Sequence, residues 1–272
     1  MTAPQIATAG RAGPSRLARA CDVLAFEWTK LRSVRSNYWT LLIAAAVTLG
    51  VTAIVAQSIA SAPGRAPGGP IDPLVSSFLG YGEYTTAPVT VLSVLAFTSE
   101  YGSGLIRTTF TAVPRRRVVL AAKATVTGAA ALIAGELLAF ACFFLAQAIL
   151  SRHHRGLALS HPGTLRAVLA AGLVLAACAI VGVGVGAITR HTAGGIAAAI
   201  TVIYLLAVLC LVLPPPWNVR LGRFTLPFVA YQLVTLHHQA GLLSPGLSAG
   251  VLIGWPAAAL LAAALLITRR DT

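Results

Sequence analysis

Acidic side chains are scarce in this sequence: seven Asp and Glu stand against 20 Lys and Arg in 272 residues. Charged residues of both signs make up only 10% of the chain, where soluble domains carry roughly 25%. A charged shell around a water-soluble core is therefore excluded. The four cysteines include no CxxC pair, which removes a disulfide framework and a thiolate zinc site and leaves small apolar packing residues. No GxxxxGK[ST] phosphate loop, HExxH helix or GxSxG elbow occurs, so the chain has no ATP-hydrolysing loop, zincin site or serine nucleophile of its own. His153-His154 and His237-His238 are adjacent rather than at the i,i+3 or i,i+4 spacing of a helical ligand pair, and no metal site is expected.

What is present is apolar and comes in long blocks. Hydrophobic residues make up 57% of the chain, and a bilayer core needs roughly 20 consecutive apolar residues per helix. The pattern predicts an all-α polytopic membrane protein, with a disordered tail over 1–15 and a single transmembrane domain over 16–272. Six spans are expected at about 38–59, 74–98, 124–150, 165–189, 193–213 and 247–268. Ahead of the first, Leu17, Cys21, Leu24, Trp28 and Leu31 recur at helical spacing with Arg16, Arg19, Asp22, Glu27 and Lys30 on the other side, which predicts an amphipathic helix lying along the membrane surface. Ala60-Ser61-Ala62 has the small-residue pattern of a cleavage site, but the region before it is too long for a secretory signal, so the first span is expected to be retained. Residues 214–246 are too apolar for a solvated loop and predict short re-entrant helices on the outer side.

Cationic residues sit between the apolar blocks. With both termini in the cytosol, 14 of the 20 Lys and Arg fall on the cytosolic side, and the positive-inside rule favours that orientation. The basic surplus then meets anionic lipid head groups. No basic face is interleaved with base-stacking aromatics, so nucleic acid is not an expected partner.

Three groups of residues invite a function. Residues 99–123 form the most polar internal segment: Gly102 and Gly104 permit a chain reversal, a short helix follows, and Pro114 stops it ahead of Arg115, Arg116 and Arg117. That segment is either a topogenic loop or a docking element. Glu83 and Glu136 fall within predicted spans, where an acid is protonated, paired or facing a cavity; each is either a substrate or proton site or a bridge between helices. Gly182-x-Gly184-x-Gly186 favours close helix packing.

Particular residues then carry a resemblance. Glu100-Tyr101, Ile106-Arg107-Thr108-Thr109, Pro114-Arg115-Arg116 and the following Lys123, with the entry run Phe26-Glu27-Trp28-Thr29-Lys30-Leu31-Arg32-Ser33, resemble actinobacterial ABC-2-type ABC transporter permeases. About 45 residues are motif-like, and with the six-span layout the similarity covers nearly the whole chain. The resemblance implies a permease subunit, an exporter in the plasma membrane, dimeric with itself or with a second permease. A separate ATPase subunit would bind ATP and magnesium, and this chain would bind no cofactor. It further implies that 16–36 is the interface helix, that 99–118 is the element pressed by the ATPase, and that 214–246 holds re-entrant helices. Glu27, Lys30, Arg32, Glu100, Tyr101, Ile106, Arg107, Thr108, Thr109, Pro114, Arg115 and Arg116 then form the ATPase-coupling interface. Two other readings stay open: a proton-coupled secondary transporter using Glu83 and Glu136, and a non-transporting immunity or scaffold subunit.

Overall fold

The structure is a computed structural model, and it describes residues 16–61, 73–102, 104, 116–154, 156–236 and 241–269. All regular structure among them is helical: α1 Arg16–Ser33, α2 Arg35–Ser61, α3 Pro73–Tyr84, α4 Thr86–Gly102, α5 Arg116–Ser151, α6 Thr164–Thr189, α7 Thr192–Val212, α8 Trp217–Gly222, α9 Leu226–Val234 and α10 Pro245–Arg269. Five of these helices, α2, α5, α6, α7 and α10, are long and apolar enough to cross a membrane. The chain has the architecture of an all-α membrane protein.

The expected second span, 74–98, is not among the five. It is divided at Thr85 into α3 and α4, and Pro88 supplies the cause. Its ring nitrogen has no hydrogen to give the Tyr84 carbonyl four residues back, and the ring crowds that carbonyl. Hydroxyls tie the residues around the break to their neighbours. Thr86 Oγ1 donates to the Gly82 carbonyl and is also bonded to the Tyr204 hydroxyl of α7, while Thr85 Oγ1 lies 2.8 Å from Thr48 Oγ1 of α2. The third span also differs from expectation. Its helix begins at Arg116 rather than Ala124 and runs 36 residues, about 54 Å at 1.5 Å per residue, against a hydrocarbon core of about 30 Å.

The bundle is organised around α6, which is largely buried and touches α4, α5, α7, α9 and α10. Its small residues permit this. A Cβ on Gly184 would lie 2.9–3.0 Å from Ala259 of α10, and one on Gly182 would lie 2.9 Å from the Thr90 carbonyl of α4. The glycine run predicted to favour close packing is therefore where two neighbours press on one helix from different sides. Outward faces carry large apolar side chains, among them Ile54, Leu137 and Ile253, each 70% exposed. An apolar surface of that kind is matched to lipid and not to water.

Residues 214–246 hold two short helices. α9 is packed into the bundle, with Leu226, Val229 and Leu233 in one buried cluster with Val174 and Cys178 of α6 and Leu252 of α10. Gln232 pins the following turn, accepting from the Leu243 amide at 2.7 Å and from Ser248 Oγ at 3.1 Å. The tail 1–15 and the pair His237-His238 lie outside the described residues.

Candidate functional site

The densest charge cluster among the described residues joins three helices. Lys123, two turns into α5 and 2% exposed, donates from Nζ to Glu27 Oε2 of α1 at 2.7 Å and to Glu100 Oε1 of α4 at 2.5 Å. Lys30, one turn after Glu27 on α1, reaches the same Glu100 oxygen at 2.5 Å. Two carboxylates thus meet two ammonium groups, and the cluster is neutral when all four are ionised. Glu27 and Glu100 are 4% and 1% exposed. Aromatic rings complete the lining: Lys123 Nζ lies 5.9 Å from the Phe97 ring, which stacks on Tyr101, and the Arg190 guanidinium lies 5.5 Å from the Tyr101 ring. Arg190 belongs to the α6–α7 turn, where it adopts a left-handed conformation that closes α6, and His191 caps α7 by accepting from the Gly194 amide. The next residue, Thr192, donates to Thr98 of α4 at 3.2 Å. The last turns of α4 are therefore gripped by α1, α5 and the α6–α7 turn together.

Such an arrangement is stiff. Removing one partner of a buried ion pair typically costs 3–5 kcal/mol, because the other charge is left without compensation. The cluster lies on both flanks of the segment 103–115: Glu100 and Tyr101 precede it, and Arg116 and Lys123 follow.

Of the residues expected at the coupling interface, Glu27, Lys30 and Glu100 come together, with Lys123 at the centre. Tyr101 stands beside them, half-buried. Arg32 is exposed on α1, and Arg116 opens α5 half-buried. Ile106, Arg107, Thr108, Thr109, Pro114 and Arg115 lie outside the described residues. One placement differs from the sequence reading: Glu27 was expected on the solvated side of α1 and is instead buried. α1 lies against α5 and is joined to it through Glu27 and Lys123, while Cys21 and Trp28 of the predicted apolar stripe are exposed and Leu24 and Leu31 are half-buried. Helical periodicity locates an apolar stripe, but it is blind to a buried cation that turns a neighbouring polar face inward.

The two acids within predicted spans are in different surroundings. Glu136 of α5 lies against α6 at Gly172, where a Cβ would come within 2.4 Å of its carboxyl group; glycine makes the room. Its Oε2 is buried with no hydrogen-bond partner in the structure. Glu83, one residue before the end of α3, is exposed and borders a cavity of about 390 Å³ enclosed by α3, the start of α4, α6, α7 and α9. Glu136 does not line that cavity. The wall contributed by α7 contains a π-helical turn, Thr201–Leu205, a local widening that occurs often at functional sites. Sequence patterning gave Glu83 but not the cavity. Pro88 is the signal that a break, and room beside it, was to come.

No protein-family model matches this chain, and a search of curated proteins finds none similar to it.

Proposed function

We propose that the chain is the membrane-spanning permease subunit of an ATP-binding cassette exporter, driven by a separate ATPase subunit. In this reading it crosses the plasma membrane six times, with α3 and α4 together as the second crossing and both termini in the cytosol. α8 and α9 form the re-entrant outer segment, and two permeases, identical or different, make the transport unit.

One observation carries the reading: the buried Glu27–Lys123–Glu100–Lys30 cluster, which clamps the interface helix and the two helices flanking 103–115 into one corner. A partner that presses on this segment moves three helices as a body, which a transporter without its own phosphate loop requires. ATP then drives the cycle by binding the partner more tightly in one global state of the assembly than in the other. The clamp residues Glu27, Lys30 and Glu100 serve as positioning groups, while Arg107, Arg115 and Arg116 meet the ATPase. The proton-carrier alternative needs Glu83 and Glu136 on one path, and their separate surroundings speak against it.

The test is purification of the chain from its native membrane in mild detergent. A bound subunit with ATPase activity, lost when Arg107, Arg115 and Arg116 are replaced by alanine while the bundle stays monodisperse, is the expected outcome. Substrate uptake by the chain alone, in proteoliposomes under a proton gradient and without ATP, rejects it.

A further inference from the structure

We infer that the cavity beside Glu83 is a binding site for lipophilic monocations, molecules with one permanent positive charge on a flat apolar body. Its volume, about 390 Å³, lies in the range that encloses drug-sized ligands. Its lining is apolar and aromatic. Phe78, Tyr81, Tyr204, Phe228 and Tyr231 border it, five of the chain's 19 aromatic residues, and aromatic faces attract cations.

Two of the tyrosine hydroxyls there are already committed. The Tyr81 hydroxyl donates to the Gly135 carbonyl at 3.0 Å, and the Tyr204 hydroxyl is bonded to Thr86. Glu83 is the lining carboxylate, and among the described residues no Lys, Arg or His pairs with it. An anionic ligand would be repelled by this carboxylate. A divalent metal is not served, because one carboxylate falls short of the six to eight oxygens calcium takes or the octahedral set magnesium demands. A cation with an apolar body answers both features: the charge pairs with Glu83 and the body fills the space along α6 and α9. The mouth is bordered by Glu83, Gly82, Val208 and Leu211, all exposed, so entry is from the apolar surroundings of the bundle.

The proposal concerns binding alone and needs no ATPase, so it stands or falls separately from the permease reading. The purified chain in detergent is titrated with a fluorescent N-methyl styrylpyridinium cation and with the uncharged styrylpyridine of nearly the same shape, against protein-free micelles as blank. Saturable binding of the cation is expected, with the neutral compound weaker by about tenfold or more, one ion pair's share of affinity. Glu83→Gln abolishes that preference without moving the elution volume of the protein, Glu83→Asp keeps part of it, and Phe228→Ala weakens both compounds. Equal binding of the two compounds to the native chain overturns the inference and marks an acyl-chain pocket instead. A Glu83→Gln variant that retains the cation at full affinity overturns it as well.

Discussion

Replacing Lys123 by methionine takes one cation from a site that holds two carboxylates and leaves Glu27 without its only described partner. The expected loss is about 3–5 kcal/mol, read as a markedly lower melting midpoint in detergent by fluorescence-detected size exclusion. Neutralising Glu27 as well, in Glu27→Gln with Lys123→Met, removes the uncompensated charge, leaves Glu100 paired with Lys30 and recovers a large part of that loss. A single variant as stable as the native chain would show that the cluster does not hold the corner together. The glycines of α6 give a second residue-scale prediction. Gly184→Val sets a branched side chain against Ala259 at 2.9–3.0 Å, where backbone atoms cannot move aside. Overpacking of this kind costs about 1–3 kcal/mol. Gly50→Ala in α2 meets nothing within 4 Å, and it is expected to be neutral or to stabilise by up to about 1 kcal/mol through helix propensity. Identical melting midpoints for Gly184→Val and Gly50→Ala would contradict the packing described for α6 and α10. The GxGxG run favours close packing at that face. It does not reveal that α4 and α10 both pack there, because a stripe of small residues names a face and not its neighbours.

At the scale of the element, the break between α3 and α4 is the informative case. Hydropathy alone gave a single span over 74–98, because Ser76, Ser77 and Glu83 only dilute an apolar average. The proline rule predicts a local defect at the Tyr84 carbonyl, and the threonines that anchor the break to other helices, Thr85 and Thr86, are adjacent in the sequence. The pieces were legible, but the partners Thr48 and Tyr204, 37 and 118 residues away, were not. Pro88→Ala restores the missing N–H and is expected to stabilise the chain by about 1–3 kcal/mol, no more than the full helical cost of proline because Pro88 stands in the first turn of α4. Slower amide hydrogen exchange over 84–88 accompanies it. Unchanged exchange there would place the cause of the break elsewhere. For α1 the helix and its rough limits followed from periodicity. The orientation did not, since the cation that draws Glu27 inward lies 96 residues along the chain.

At the scale of the whole molecule, the length of α5 sets how the bundle sits in a bilayer. About 54 Å of helix exceeds about 30 Å of hydrocarbon even at a tilt of about 40°, so part of a crossing α5 must project. The sequence indicates which end. Arg116, Arg117 and Lys123 occupy the first turns, whereas the last turns, Phe143 to Ser151, carry no charge. Under the proposed topology the projecting end is the one clamped to α1 and α4, which sets the ion-pair cluster at or beyond the head groups, where four charged groups are far less costly than at the bilayer centre. This reconciles a buried charge cluster with a lipid-facing protein. It also fixes a test in which two ends of one bundle must give opposite answers. In a variant lacking the native cysteines, Arg117→Cys and His161→Cys both occupy exposed positions. A membrane-impermeant maleimide is expected to label position 161 in intact cells and position 117 only after the membrane is opened. The reverse pattern would turn the bundle over and put the clamp outside. It would also remove the clamp from any reach of an ATPase, because nucleotide is on the other side. Labelling of both positions in intact cells would show that α5 does not cross the bilayer at all.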